Sequence, residues 1–447
     1  MKRHFLLALC ACAFLSITRA EKYVGGDISA LPLYEQHNSA YKDVNDKKIN
    51  DLITWFVSDC GWNTFRVRIF VNPGKKDQDG TANPSVCQDL AYVTALGKRI
   101  KQAGAYFMLD FHYSDTWVDA THIQAPAAWK GKDDKTMADS VAAYTTRVLA
   151  ALNEAGATPD LVQVGNEIMY GLCDIKVKPY DDASSNWDGY LGLLKAGCNA
   201  VREQCPDAQI IIHTDRPNNR QYNYYYYNRL VQGGVDFDII GLSYYPFWHG
   251  YLTLEQVTGK GNADYLVNAI NTLKSQFPDK RVHIVECAYN FQNWPEKGVN
   301  TDTRDIWTCD VAGQYQFVKD LVDALKPLEN VDGISYWFPE EAGNGDDTNW
   351  NTSKGTVISS WQNRGFWDEN ISQTGHNINK TGTMTAGKTA ADVCAPYYMK
   401  NFLPASTAGL YSTPADTQGE KMLRDGQLLI RRGGRLYNAT GAQITEK

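Results

Sequence analysis

Residues 161–167 read LVQVGNE and residues 281–286 read RVHIVE. Each is a short apolar run that ends on a glutamate, Glu167 after Asn166 and Glu286 after Val285. Short apolar runs of this kind, with Val and Ile prominent, fit strands buried on both faces, as in a parallel sheet. Working outward, comparable runs recur at Tyr23–Ile28, Thr64–Val71, Ala105–Phe111, Gln209–His213, Phe237–Tyr244 and Gly333–Phe338. Between them lie segments with a period near 3.6: Lys47–Ser58, Ser85–Gln102, Thr136–Glu154, Tyr190–Arg202, Ala263–Phe277 and Gln314–Leu325. Eight strands, each followed by a helix or a long loop, predict an α/β fold, a (β/α)8 TIM barrel rather than a doubly wound sheet. A dinucleotide-binding turn would need a glycine spacing that Val24-Gly25-Gly26-Asp27 lacks.

In such a barrel, chemistry sits where strands end. The second strand carries Arg66 and Arg68 on one face, and the third runs into Asp110, His112, Asp115 and Trp117. The fifth ends at His213 and Asp215, the sixth at Ser243, Tyr244 and Tyr245, and the eighth at Tyr336 and Trp337. A lone Arg inside a barrel is commonly an ion-pair partner, and a lone His a satisfied core residue. Two glutamates closing the fourth and seventh strands are more specific. Across a barrel mouth they make the pair a retaining glycosidase needs, one protonating the leaving oxygen and one attacking the anomeric carbon. Arg68 is expected to keep Glu286 ionised, while that charge and burial hold Glu167 protonated. Asn166 is expected to meet a sugar hydroxyl, and Trp117 and Trp337 to offer stacking faces.

Composition agrees. Tyr (26) and Trp (12) are plentiful, as clefts for pyranose rings favour, although most such rings only pack. The formal charge of −7, or −10 without Lys2, Arg3 and Arg19, argues against nucleic acid as a partner. The start, MKRHFLLALCACAFLSITRA, has a basic head, an apolar run from Phe5 to Ile17 and Ala20 before Glu21. It reads as a signal peptide over residues 1–20, too short to span a bilayer. Neither Cys10 nor Cys12 follows a small-residue pair, so lipidation is not expected. A secreted, cell-surface or periplasmic protein without a transmembrane segment follows.

The catalytic barrel is expected over 21–400, and a linker over 401–419, where Pro404–Gly419 is rich in Ala, Ser, Thr and Pro. Residues 420–447 read as a short β-hairpin-like tail around Gly433-Gly434. It resembles the C-terminal sorting tails of exported Bacteroidetes-type proteins, a capping hairpin being the alternative. Cysteines 60, 87, 173, 198, 205, 287, 309 and 394 remain after the leader, with no CxxC pair to hold zinc. Cys198 with Cys205, and Cys287 with Cys309, are close enough in sequence to pair, though spacing fixes no connectivity.

Seven motifs also carry a family likeness: GGDIS (25–29), NTFRVRIFVNP (63–73), LDFHYSDTWVD (109–119), QVGNEI (163–168), GLSYYPFWHG (241–250), VEC (285–287) and SWQNRGFWD (360–368). Over roughly residues 22–395 the chain resembles the endo-β-1,4-galactanases of glycoside hydrolase family 53, in clan A. The resemblance implies retaining hydrolysis of internal β-1,4-galactosidic bonds in the galactan and arabinogalactan side chains of pectin. It implies Glu167 as acid/base, Glu286 as nucleophile, and Arg68, His112, Asn166 and Trp337 along the cleft. With the strand ends, the expected substrate-binding set is Arg68, Asp110, His112, Trp117, Asn166, His213, Tyr244, Tyr245 and Trp337. Two departures stand out. Cys287 follows the nucleophile where the family usually has Thr or Ser. Residues 288–302, AYNFQNWPEKGVNTD, lack the acidic ladder of the calcium loop that bacterial relatives often carry there. No cofactor is therefore expected, calcium included, and a monomer is. The rivals are another clan-A β-glycanase, such as an endoglucanase or mannanase, and a non-catalytic surface glycan-binding protein.

Overall fold

A computed structural model describes residues 21–36, 40–260, 264–292, 303–342, 363–368 and 375–404, together with the backbone of four short strands between 420 and 444. Eight parallel strands close into a barrel: β1 Tyr23–Asp27, β2 Thr64–Ile69, β3 Tyr106–Phe111, β4 Leu161–Val164, β5 Gln209–Thr214, β6 Ile239–Tyr244, β7 Arg281–Cys287 and β8 Val331–Trp337. Each pairs with its neighbours in sequence, and β1 pairs with β8 to shut the ring, Asp27 lying opposite Trp337. The expected strands were right to within two residues at each end.

The helices around the ring are α1 Leu52–Ser58, α2 Leu90–Gln102, α3 Asp134–Glu154, α4 Trp187–Gln204, α5 Arg220–Gln232, α6 Leu266–Gln276 and α7 Val311–Leu325. Asp51, Asp89, Asp133, Asn186, Asn219 and Asp310 cap six of them, each side chain accepting a backbone N–H three residues on. The caps correct two expected starts. Helices placed from Lys47 and Ser85 begin after Asp51 and Asp89. Helix α5 was missed because Tyr224–Tyr227 suggests no period, yet Asn223, Tyr226, Tyr227 and Leu230 form its buried face.

The barrel interior has two layers. Tyr23, Met108, Leu161, Ile211, Ile239 and Val285, from six strands, form an apolar cluster separate from the larger core outside the ring. Toward the C-terminal end the interior becomes ionic, with Asp27, Arg66, Asp110, Gln163 and His213 all buried. Gly333 makes room in this packing, since a Cβ there would lie 1.9 Å from the His283 ring.

The tail differs from the expected hairpin. Glu420–Arg424, Gln427–Arg432, Arg435–Asn438 and Gln443–Ile444 form a four-stranded antiparallel meander, whose middle pair flanks Gly433-Gly434. Turn signals at Asp425-Gly426 and Ala439–Ala442 mark the added strands. Among the described residues Cys60, Cys87, Cys173, Cys198, Cys205, Cys287 and Cys394 stand as thiols, so neither Cys198 with Cys205 nor Cys287 with Cys309 is bridged. Cys287 donates to the Ser335 carbonyl at 3.5 Å, inside the barrel wall and turned from any bridge. The leader, most of the expected linker and most of the 288–302 loop lie outside the described residues.

Candidate active site

The β4 exit turns sharply. Gly165 has φ +91°, where a Cβ would lie 2.7 Å from Ile168, and Glu167 itself is left-handed at φ 48°, ψ 47°. A non-glycine residue held there costs about 1–3 kcal/mol. His213 on β5 helps hold it, because the Glu167 N–H donates to Nδ1 at 3.3 Å. Gln163 Nε2 is a second donor, 3.1 Å away, against one competing acceptor, Asn166 Oδ1 at 3.0 Å. Nδ1 is therefore the acceptor and the proton sits on Nε2. Burial, reinforced by Arg66, pushes the His213 pKa well below the imidazole range, so the ring is neutral. Its Nε2–H faces Ser243 Oγ at 2.8 Å, and that hydroxyl donates to Glu167 Oε1 at 2.5 Å. A two-step chain thus fixes one carboxyl oxygen and leaves Oε2 to carry the acid proton.

Glu286, on β7, has the opposite surroundings. Arg66 Nη2 lies 3.0 Å from Oε1, and the Tyr245 hydroxyl donates to Oε2 at 2.8 Å. The Arg66 guanidinium also meets Asp27 (2.7 Å), Asp110 (2.8 Å), Asn166 Oδ1 (2.8 Å) and Gln163 (3.3 Å). Burial raises the pKa of both glutamates, but at Glu286 the Arg66 charge and the Tyr245 hydrogen bond oppose it. At Glu167 the Glu286 and Asp215 charges add to burial, against the Ser243 hydrogen bond, and the pKa stands well above the carboxylate range. Of the pair, Glu167 holds the proton and Glu286 the charge.

The cation beside Glu286 is therefore Arg66, which corrects the role expected of Arg68. Arg68 lies 3.8 Å from Asp27, and its guanidinium sits over the Trp117 ring, 4.0 Å from the centre. Tyr244 is the other correction. Its hydroxyl donates to the Gly250 carbonyl and its ring packs on Phe317, outside the barrel, whereas Tyr245 and Ser243 turn inward. His213 and Asp110 are fully buried and act through neighbours rather than on a ligand. His112 accepts the Val118 N–H on Nδ1 at 2.9 Å and turns Nε2–H to Asp110 at 3.1 Å. Asn166 gives one amide hydrogen to the Val118 carbonyl at 2.7 Å.

Arg66, Arg68, His112, Trp117, Asn166, Glu167, Glu286 and Trp337 share one cleft of about 390 Å³. Trp117 and Trp337 meet edge to face there, 6.4 Å between centroids. Gln78, Asn83, Asp119 and His122 line it as well. They lie in loops after β2 and β3 and were not singled out, since a polar loop carries no periodic signal. Arg364, within the SWQNRGFWD motif, is buried above the Tyr245, Phe247 and Trp337 rings. Among the described residues no group of three or more His, Cys, Asp or Glu could hold a metal ion, and no helix is long and apolar enough to cross a membrane.

The model of glycosyl hydrolase family 53 matches residues 23–377. The chain belongs to that family. Among its relatives, the probable arabinogalactan endo-β-1,4-galactanase A of Aspergillus terreus is 31% identical over 378 residues, covering 82% of this chain and 96% of the relative. The arabinogalactan endo-β-1,4-galactanase of Cellvibrio japonicus is 32% identical over 360 residues, covering 77% and 86%. The solved GH53 catalytic domain of Ignisphaera aggregans superposes with a TM-score of 0.66 at 26% identity, covering 86% of this chain and 97% of that one. As a family 53 member the protein is a glycoside hydrolase, and its closed barrel agrees with that neighbour's fold.

Proposed function

We propose that this family 53 enzyme cleaves internal β-1,4-galactosidic bonds of galactan by double displacement. Glu286 attacks the anomeric carbon while the Glu167 carboxyl, through Oε2, protonates the departing oxygen. The ionised Glu167 then takes a proton from water, which releases the sugar from Glu286 with net retention. Arg66 and Tyr245 hold the Glu286 charge in place, and loss of that charge on attack frees both donors to follow the Oε atoms. The second Asn166 amide hydrogen is directed at the sugar 2-hydroxyl. The opposed surroundings of the two glutamates carry this reading, and the names of the relatives supply the linkage.

Product analysis on linear β-1,4-galactan, beside cellulose and mannan, tests it. Early release of mixed galacto-oligosaccharides is expected. Reducing sugar from cellulose or mannan alone would assign another β-glycanase, and binding without product a glycan-binding protein. We further propose that the chain is exported after loss of residues 1–20, acts as a monomer, and needs no metal or other cofactor. The loop sequence at 288–302 supports the last point.

A further inference from the structure

We propose that a second carbohydrate-binding surface, for the part of a galactan chain beyond the scissile bond, runs from the barrel rim down the outer wall between α5 and α6. It rests on Glu167 being the acid, because it places the surface on the leaving-group side. A groove of about 810 Å³ lies there, separate from the catalytic cleft, lined among others by Arg216, Tyr224, Tyr225, Trp248 and Gln276. Tyr224, Tyr225 and Trp248 are 38%, 41% and 37% exposed, in a chain whose other large aromatic side chains are mostly buried. Tyr180, 42% exposed, packs edge-on against Tyr222 and Tyr225 at 4.2 and 5.0 Å, which widens and stiffens the platform. Exposed rings clustered in a polar groove mark a ligand surface rather than a core.

Charge selects the occupant. Of the two guanidiniums in the groove, Arg216 is paired with Asp215 at 3.1 Å and Arg220 with Asp264 at 2.9 Å. Neutralised arginines beside Asn, Gln and Tyr suit an uncharged polyhydroxyl chain better than an acidic peptide or a polyphosphate. Position links the groove to the cleft. Asp215, whose charge reaches Glu167, is followed directly by Arg216, which lines the groove and lies 5.7 Å from the Tyr170 ring in the turn after Glu167. Rings already held in place lose little freedom on stacking, so each repays a pyranose face at small entropic cost.

The test compares wild type with Tyr225→Ala/Trp248→Ala, on linear β-1,4-galactan and on an aryl β-galactoside that fills only the cleft. Galactan affinity is read by gel retardation with Glu286→Gln added to both proteins. The expected result is a roughly tenfold weaker retention and a similar rise in KM for the polymer, with aryl-galactoside turnover unchanged. Unchanged polymer binding would overturn the inference. So would an equal loss on both substrates, which would make the rings supports of the catalytic loops. A wild type that dimerises where the variant does not would assign the surface to a second copy. If wild type neither cleaves nor binds galactan, the substrate reading fails instead.

Discussion

Arg66 Nη2 stands 3.0 Å from Glu286 Oε1 and 2.8 Å from both Asp110 and Asn166 Oδ1, so one guanidinium nitrogen orients Glu286 and the residue before Glu167 together. Arg66→Lys keeps the charge but cannot span these partners. Activity on galactan should fall about 100-fold, and stability by about 3 kcal/mol as buried carboxylates lose their partner. Arg66 favours the ionised Glu286, so weakening it raises that pKa and moves the acidic limb of the pH–rate profile to higher pH. In Arg68→Ala the limb should stay where it is. A limb that moves in Arg68→Ala and not in Arg66→Lys would reverse the two roles.

Ser243→Ala removes a side-chain hydrogen bond that favours ionised Glu167. Its pKa should rise further and the basic limb move to higher pH, with kcat down about tenfold. Ser243→Thr, which keeps the hydroxyl, should restore the wild-type limb. Equal profiles for Ser243→Ala and wild type would remove Ser243 from the acid's control.

Leaving-group ability separates the glutamates. On an aryl galactoside with an acidic phenol, Glu167→Gln should still release phenol in a burst and then stall. Glu286→Gln should show no burst. Added azide should give a β-galactosyl azide with the first variant and the α anomer with the second. The opposite assignment of anomers would exchange the residues.

Glu167 also sets a stability signature. Its folded pKa lies above the unfolded value near 4.3, so the folded state holds the extra proton. Its contribution is fully present below the unfolded pKa and is lost as pH rises through the folded one. Glu167→Gln should therefore melt higher than wild type at pH 8, with the gain vanishing near pH 4. Calorimetry across that range checks this, and a gain that is constant with pH would contradict it.

EDTA should change neither activity nor Tm, since the 288–302 sequence offers no run of oxygen ligands. A fall in Tm that calcium restores would place an ion in that loop.

Which glutamates face the cleft was legible because each closes an apolar strand and strand ends define the mouth. Which arginine serves Glu286 was not. Arg66 and Arg68 share a face, and only the roughly 6.7 Å two-residue rise along β2 decides which is level with β7. Tyr244 and Tyr245 meet opposite sides of the wall because consecutive side chains alternate there, and a single run does not say which of the two faces inward. The His213–Ser243 chain joins two strands whose register no single run announces. The tyrosines of α5 concealed its period by filling both its faces with one residue type.

Beneath all of this, the apolar cluster from Tyr23 to Val285 stoppers the barrel. Reactants can enter and leave only by the open end. Under the proposed double displacement, the severed chain and the water that replaces it would use that same end, the doorway to the glycosyl-Glu286 bond. When substrate is abundant, another sugar hydroxyl waits at the same doorway and competes with water for the bond. A concentrated galacto-oligosaccharide should then yield products longer than the starting oligomer.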